Sequence, residues 1–271
     1  MRNSPRFSCL FTLHPFTVAD PVFTRVKAPL WEHQEIESRI LYQDDELLAF
    51  NKPYDWPTSG YTLNDDDCVQ FHLINYLRES GTISPTSKYP RGMAWAVHQL
   101  DADTSGLLLF ALSKRATKRA HRALTASGTT KTYNAYVQGA VPWDHHIESS
   151  PMGVNSEGIR DILSLSDGGK DAKTEFHTIA RTPQSSALRI QLHTGRTHQI
   201  RIHLSYLGHP LIGEEWYTPC PLHSRQALHA SEIHSPDLPA LLAPLPKDLC
   251  DLAKKFHLPT DFSLPSSHSP I

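Results

Sequence analysis

His98-Gln99-Leu100-Asp101-Ala102-Asp103-Thr104-Ser105-Gly106-Leu107-Leu108-Leu109-Phe110-Ala111-Leu112 is the stretch on which the fold turns. Its second half is a short continuous apolar run, long enough for a buried strand and too short for a membrane span. Ser113 follows as a helix N-cap, and a helix is expected through about Ala126. Ala116, Ala120 and Leu124 recur at i, i+4, i+8 as its inner stripe, and Lys114, Lys118 and Arg122 form a basic outer stripe at the same spacing. The first half is polar and leads straight into the strand. An acidic residue at such a junction can be held rigidly while still facing a cleft. Thr104 and Ser105 can bond the loop backbone, and Gly106 permits a turn other residues resist. Two plainer readings stand beside this one. Asp101 or Asp103 could tie the loop as an Asx-turn, or Asp101, Asp103 and His98 could bind a divalent cation, although spacing fixes no further ligand.

Outward from this stretch, the pattern alternates between strands and a few helices. Ile40–Tyr42 and Leu47–Phe50 flank Gln43-Asp44-Asp45-Glu46 and read as two strands joined by an acidic turn. Val69, Leu73, Tyr76 and Leu77 mark a helix behind Asp65–Asp67. Lys131–Gly139, Thr174–Ala180 and Ala187–His193 read as strands, and Ala140–Asp171 as a long irregular excursion. Thr197–Leu207 fits either period; Thr197 as a cap, with Gly208 and Pro210 as a stop, favours helix. The sum is an α+β fold with a mixed sheet. We divide the 271 residues into an N-terminal arm (1–35), one domain (36–258) and a Ser/Pro-rich, frayed tail (259–271).

Hydrophobic residues make up 39% of the chain and charged residues 20%, which suits a packed core and excludes wholesale disorder. The apolar stretch near Cys9–Leu13 is broken by His14 and Pro15 and does not read as a signal peptide. Cys9, Cys68, Cys220 and Cys250 are widely spaced, giving neither a disulfide framework nor a CxxC clip, and a reducing cytoplasm is expected. The net charge of −2 carries no global sign of a nucleic-acid partner. Its distribution is uneven: ten acidic residues between Trp31 and Asp67 face Arg39 and Lys52, while eight basic residues between Thr86 and Lys131 face Asp101 and Asp103. A local steering field is possible, as is an ordinary solvated helix face.

The second polar cluster is Leu192-His193-Thr194-Gly195-Arg196-Thr197-His198-Gln199-Ile200-Arg201-Ile202-His203. The Gly195 turn would deliver Arg196 to the start of a helix, where unpaired N–H groups favour an anion. Arg196 could clamp a phosphate or carboxylate through two parallel bonds, or brace a buried aspartate. His193, His198, His203 and His209 invite a zinc reading, but the HExxH spacing is absent and no metal site is expected there.

Together these segments resemble the RluA family of RNA pseudouridine synthases, over roughly Ile40 to Pro236. Asn51-Lys52-Pro53 after the first strand pair is similar to the family's opening. His98-Gln99-Leu100-Asp101 with Thr104-Ser105-Gly106-Leu107 resembles its signature. Lys131-Thr132-Tyr133, then Gly195-Arg196-Thr197-His198-Gln199-Ile200-Arg201 with Leu207-Gly208-His209-Pro210 and Gly213, then Arg225 with Leu228-His229-Ala230, match its later motifs in order. The resemblance implies a largely antiparallel mixed sheet around a central RNA-binding cleft. It implies isomerisation of uridine to pseudouridine in structured RNA, either tRNA or large-subunit rRNA of the 23S type, without cofactor or metal. It places Asp101 as the catalytic aspartate, Tyr133 against the uracil, and Arg196 paired with Asp101. Substrate contacts are expected from His98, Gln99, Thr104, Lys131, Thr197, His198 and Gln199. No apolar run approaches the length of a membrane span, so no membrane association is expected, and no obligate protein partner is evident. The segment before Ile40 is too short for the S4-like RNA-binding domain of many relatives, so a short form is expected. One departure is Gln99, where the family usually carries arginine. It motivates an alternative, a catalytically idle RNA-binding protein that keeps the fold.

Overall fold

The computed structural model describes residues 31–60, 66–83 and 94–264. In chain order the elements are α1 (His33–Glu37), β1 (Ile40–Gln43), β2 (Leu47–Lys52), α2 (Val69–Glu79), β3 (Trp95–Ala96), β4 (Ser105–Ala111), α3 (Lys114–Thr125), β5 (Thr130–Gln138), β6 (His145–Glu148), β7 (Met152–Val154), β8 (Arg160–Ile162), β9 (Thr174–Arg181), β10 (Ser185–Leu192), α4 (Gln199–Tyr206), β11 (Leu228–His234), β12 (Leu241–Leu242) and α5 (Lys247–Lys255). Ten of these strands form one sheet in the order β1-β2-β4-β11-β5-β10-β9-β6, with β3 on β4 and β12 on β11; β7 and β8 pair by themselves. All the pairings are antiparallel except β4 with β11.

Why the sheet is buried on both faces is visible in β4. Every residue from Ser105 to Ala111 is buried, so the strand reads as a continuous apolar run. Leu108 and Phe110 pack on one side with Leu73 and Leu77 of α2 and Ile200 and Leu204 of α4. Leu107, Leu109 and Ala111 pack on the other with Ala116, Ala120 and Leu124 of α3. Ser113 caps α3 as its sequence predicts, its hydroxyl accepting from the Ala116 N–H at 3.0 Å. Where the sequence favours Thr197 as the cap of α4, the helix starts after His198, which sits in the left-handed region at φ 59°. The helix end is held instead by Gln199, whose side-chain Oε1 accepts from Arg196 N–H and the Thr194 hydroxyl.

Two boundaries differ from the expected ones. Within the arm, α1 starts at His33, and Trp31 stacks on Phe50 and His72, so the segment from Trp31 belongs to the packed body. The tail is also anchored: Phe262 is buried and the Tyr136 hydroxyl donates to the Pro259 carbonyl at 2.8 Å. Of Asp65–Asp67, expected to cap α2, Asp65 lies outside the described residues, and the N-cap position itself is Cys68.

One register line positions the site. Lys52 of β2 faces Gly106 of β4, Gly106 faces Ala230 of β11, and Ala230 faces Tyr133 of β5. Gly106 has φ 113°, and a Cβ there would lie 2.1 Å from the Ala230 carbonyl oxygen, so only glycine lets the parallel pair close. The row therefore brings Tyr133 to the same end of the sheet as the loop that enters β4.

Candidate active site

The loop from Leu100 to Asp103 is fixed carbonyl by carbonyl. Thr58 both donates to the Leu100 carbonyl (3.0 Å) and accepts from its N–H (3.1 Å). The Asp101 carbonyl accepts from Thr104 N–H at 3.1 Å. Lys52, fully buried, donates from Nζ to Ala102 (2.6 Å), Trp56 (2.7 Å) and Pro53 (2.8 Å) carbonyls. Arg225 donates to the Asp103 carbonyl at 3.0 Å, and Gln226 to the Thr104 hydroxyl at 2.8 Å. Four successive carbonyls thus have assigned donors, two of them cationic, so the Asp101 side chain leaves a backbone with little freedom. Burial pushes the Lys52 ammonium down to about 7, while Asp103, Asp101 and Asp55 pull it back up.

Above this floor the Asp101 carboxylate is a quarter exposed. Arg201 Nη1 lies 3.4 Å from one oxygen and His198 Nε2 lies 3.6 Å from the other. Arg201 is itself held by Glu214 in a two-point pair, Nε to Oε2 and Nη2 to Oε1, both 2.8 Å. Glu214 also accepts from Trp216 N–H at 3.0 Å, and its side chain is fully buried. Burial works against charge on both partners, but their mutual bonds outweigh it: Glu214 is held below the usual carboxylate range and Arg201 above its own. The guanidinium sits 5.0 Å from the Trp216 ring and 5.3 Å from the Tyr217 ring. His198 Nδ1 and the Tyr217 hydroxyl are 2.7 Å apart, which fixes the imidazole. Burial pushes His198 down, against the opposing pull of Asp101. Tyr133 is buried, and burial together with the charge of Asp101 pushes its phenol well above the ordinary tyrosine range.

The residues expected from the sequence divide. Asp101 and His198 meet, and Tyr133 is buried at the same end of the sheet, where the charge of Asp101 acts on it. Arg196 does not meet Asp101: it is exposed, and its Nε donates to the Asp171 carbonyl at 2.9 Å. The arginine at Asp101 is Arg201, because α4 turns position 201 inward while position 196 lies on the loop before the helix. Thr197 is exposed on that loop. Lys131 is half-buried at the start of β5, pushed down by burial, and its Nζ comes within 3.9 Å of where a Cβ on Gly195 would sit. Gln99 is exposed, with Nε2 3.3 Å from the Ser59 hydroxyl. Three expected contacts turn inward as supports. His98 Nε2 accepts from the Leu109 N–H at 3.2 Å, and burial and Lys131 push it down to about 4. That bond also takes His98 away from the cation site considered with Asp101 and Asp103. Thr104 is buried against Gln226, and Gln199 bonds Lys173 and Thr174.

A large mixed sheet thus carries a carboxylate, Asp101, between an arginine and a histidine; the family is given by similarity to known proteins. Residues 46–206 match the family model described as RNA pseudouridylate synthase, and the chain belongs to that family. It is 37% identical over 190 residues to ribosomal large subunit pseudouridine synthase D of Vibrio cholerae, covering 69% of this chain and 55% of that protein. Against ribosomal large subunit pseudouridine synthase C of Escherichia coli it is 34% identical over 207 residues, covering 75% and 60%. The chain thus spans little more than half the length of these curated relatives. Among solved structures, human RNA pseudouridylate synthase domain containing 4 superposes with TM-score 0.67 at 20% identity, over 83% of this chain and 95% of that one. Human RNA pseudouridylate synthase domain containing 1 gives 0.59 at 26% identity, over 80% and 94%.

Proposed function

We propose that this chain isomerises specific uridines to pseudouridine in structured RNA, with Asp101 as the catalytic group. The reaction breaks the bond between uracil N1 and ribose C1′, turns the base, and joins C5 to C1′; the C5 proton leaves and N1 gains one. The observation that carries the reading is the Asp101 carboxylate, locked from below by the Lys52 and Arg225 bonds and flanked by Arg201 and His198. A carboxylate in that setting can attack C1′ or take a ribose proton, and the fixed guanidinium keeps it aimed without reorganisation at the moment of reaction. The Tyr133 ring offers a flat face to the uracil. The target must leave its stack to reach this depth.

The relatives named for the ribosomal large subunit favour large-subunit rRNA as substrate over tRNA. Trp216, 69% exposed beside the Arg201 guanidinium, supplies a surface on which an unpaired base can stack at the mouth. Lys114, Arg115, Lys118 and Arg122 of α3 line a groove with Pro236 and Leu238, suited to tracking phosphates. No helix among the described residues is long and apolar enough to cross a membrane.

The test is pseudouridine mapping by carbodiimide chemistry on total RNA incubated with the purified protein and with Asp101→Asn. New sites with the parent and none with the variant are expected. RNA binding with no new site from the parent would establish the idle RNA-binding reading instead.

A further inference from the structure

We propose that His145, Glu175 and His177, with His193 as a fourth donor, form a binding site for a divalent transition metal such as zinc. The site lies at the edge of the sheet, apart from the residues around Asp101. In the β6–β9 register His145 stands directly across from His177, and Glu175 precedes His177 by two residues, on the same face. The side chains follow that placement. His145 Nε2 is 2.8 Å and His177 Nε2 3.1 Å from Glu175 Oε1, and the two imidazoles stack with centroids 4.7 Å apart. His193, just past the end of β10, brings its Nε2 to 2.8 Å from the other oxygen, Oε2.

The donor atoms of His145, Glu175 and His177 all lie within 4.8 Å of one another. Zinc bonds of about 2.0–2.2 Å imply ligand-to-ligand edges of roughly 3.3–3.5 Å, so small side-chain rotations close the set around an ion. Two or three imidazoles and one carboxylate are borderline donors, the set that suits Zn²⁺, Co²⁺ or Ni²⁺ rather than Mg²⁺ or Ca²⁺. Binding exchanges each Nε2–H···O bond for an Nε2–metal bond, the imidazole proton moving to Nδ1. Access is open, with the His145 side chain half exposed and that of His193 37% exposed. The ion would fasten the edge strand β6 to β9. Through His193 it would also fix the start of the loop that ends at His198, making it a structural tie.

The experiment uses the full chain, stripped with chelator and dialysed. Zn²⁺ is titrated calorimetrically, and Co²⁺ by its visible absorption, in the parent, in His145→Ala/His177→Ala, and in His121→Ala as a control on α3. The parent should take up one equivalent with the intense bands of a low-coordinate Co²⁺ site and a raised unfolding temperature. The double variant should weaken that equivalent by tenfold or more while the control leaves it unchanged. Circular dichroism checks folding, and His145→Gln alone replaces the double variant if that variant fails to fold. With 17 histidines in the chain, adventitious uptake is the competing outcome. Equal affinity in parent and variant, or no stoichiometric uptake at 1 mM Zn²⁺, overturns the proposal.

Discussion

Replacing Arg201 by methionine separates two roles that one side chain combines. In the fold, Arg201 neutralises Glu214, whose side chain is fully buried. Removing one partner of such a pair leaves an uncompensated buried charge and costs about 3–5 kcal/mol. Arg201→Met alone should therefore lose stability on that scale in urea titrations. Glu214→Leu added to it removes the stranded charge and should return most of the loss. The recovery is incomplete because Glu214 also accepts from Trp216 and Tyr217 N–H groups, each worth about 1 kcal/mol. The double variant should lie within about 2 kcal/mol of the parent. In the proposed reaction, Arg201 is the guanidinium 3.4 Å from Asp101, and among the described residues no second arginine is paired with that carboxylate, Arg196 being turned to Asp171. Loss of one preorganised donor at a reacting group costs on the order of 10²–10³ in rate. The refolded double variant should stay slow by that factor in tritium release from C5-labelled uridine in RNA, measured at saturating protein in a single turnover. A double variant as stable as expected and within about threefold of the parent rate would refute the argument that Arg201 aims Asp101.

Other outcomes follow from the same geometry. Trp216→Ala should weaken RNA affinity by about 1–3 kcal/mol, the scale of one base stacked on an aromatic ring, and leave the saturated rate nearly unchanged; filter binding at fixed salt reads it. His98 and His229 are both held down to about 4, chiefly by burial, so the unfolded chain binds more protons than the fold between pH about 6.5 and 4. Stability should fall as pH drops through that window, by up to about 1.4 kcal/mol per pH unit for each histidine, and His229→Gln should flatten the slope of urea-derived stability against pH. Gly106→Ala should be severely destabilising, because its Cβ would meet backbone and not a movable side chain; thermal unfolding would show it. Neutralising Lys118 and Arg122 should reduce the salt slope of RNA binding by roughly 0.7–0.9 for each phosphate that is no longer neutralised.

Much of this arrangement is legible in local pattern. The apolar run of β4, the cap at Ser113 and the alternation of β5 each depend on neighbours in sequence, and periodicity reports them directly. What goes wrong is the partner of Asp101, which the family resemblance assigns to Arg196. Arg196 draws attention because it follows a glycine turn, yet a position before a helix faces solvent unless something covers it. The better signal was present in Ile200-Arg201-Ile202-His203-Leu204. All five residues are buried in the fold, and an arginine inside an apolar helical run must find a carboxylate or it cannot stay there. Short polar strands such as β6 and β8 carry too few residues for alternation to show, which is why the stretch from 140 to 171 reads as irregular. Non-local pairing is hidden more deeply still. Lys52, Gly106, Ala230 and Tyr133 share one line only because β4 and β11 run parallel across more than a hundred residues of chain, and His145 meets His177 only through the register of β6 on β9. Each depends on which strands become neighbours, a tertiary choice made by burying both sheet faces under α2, α4 and α3. A single chain's local pattern therefore announces the carboxylate and conceals the groups that aim it.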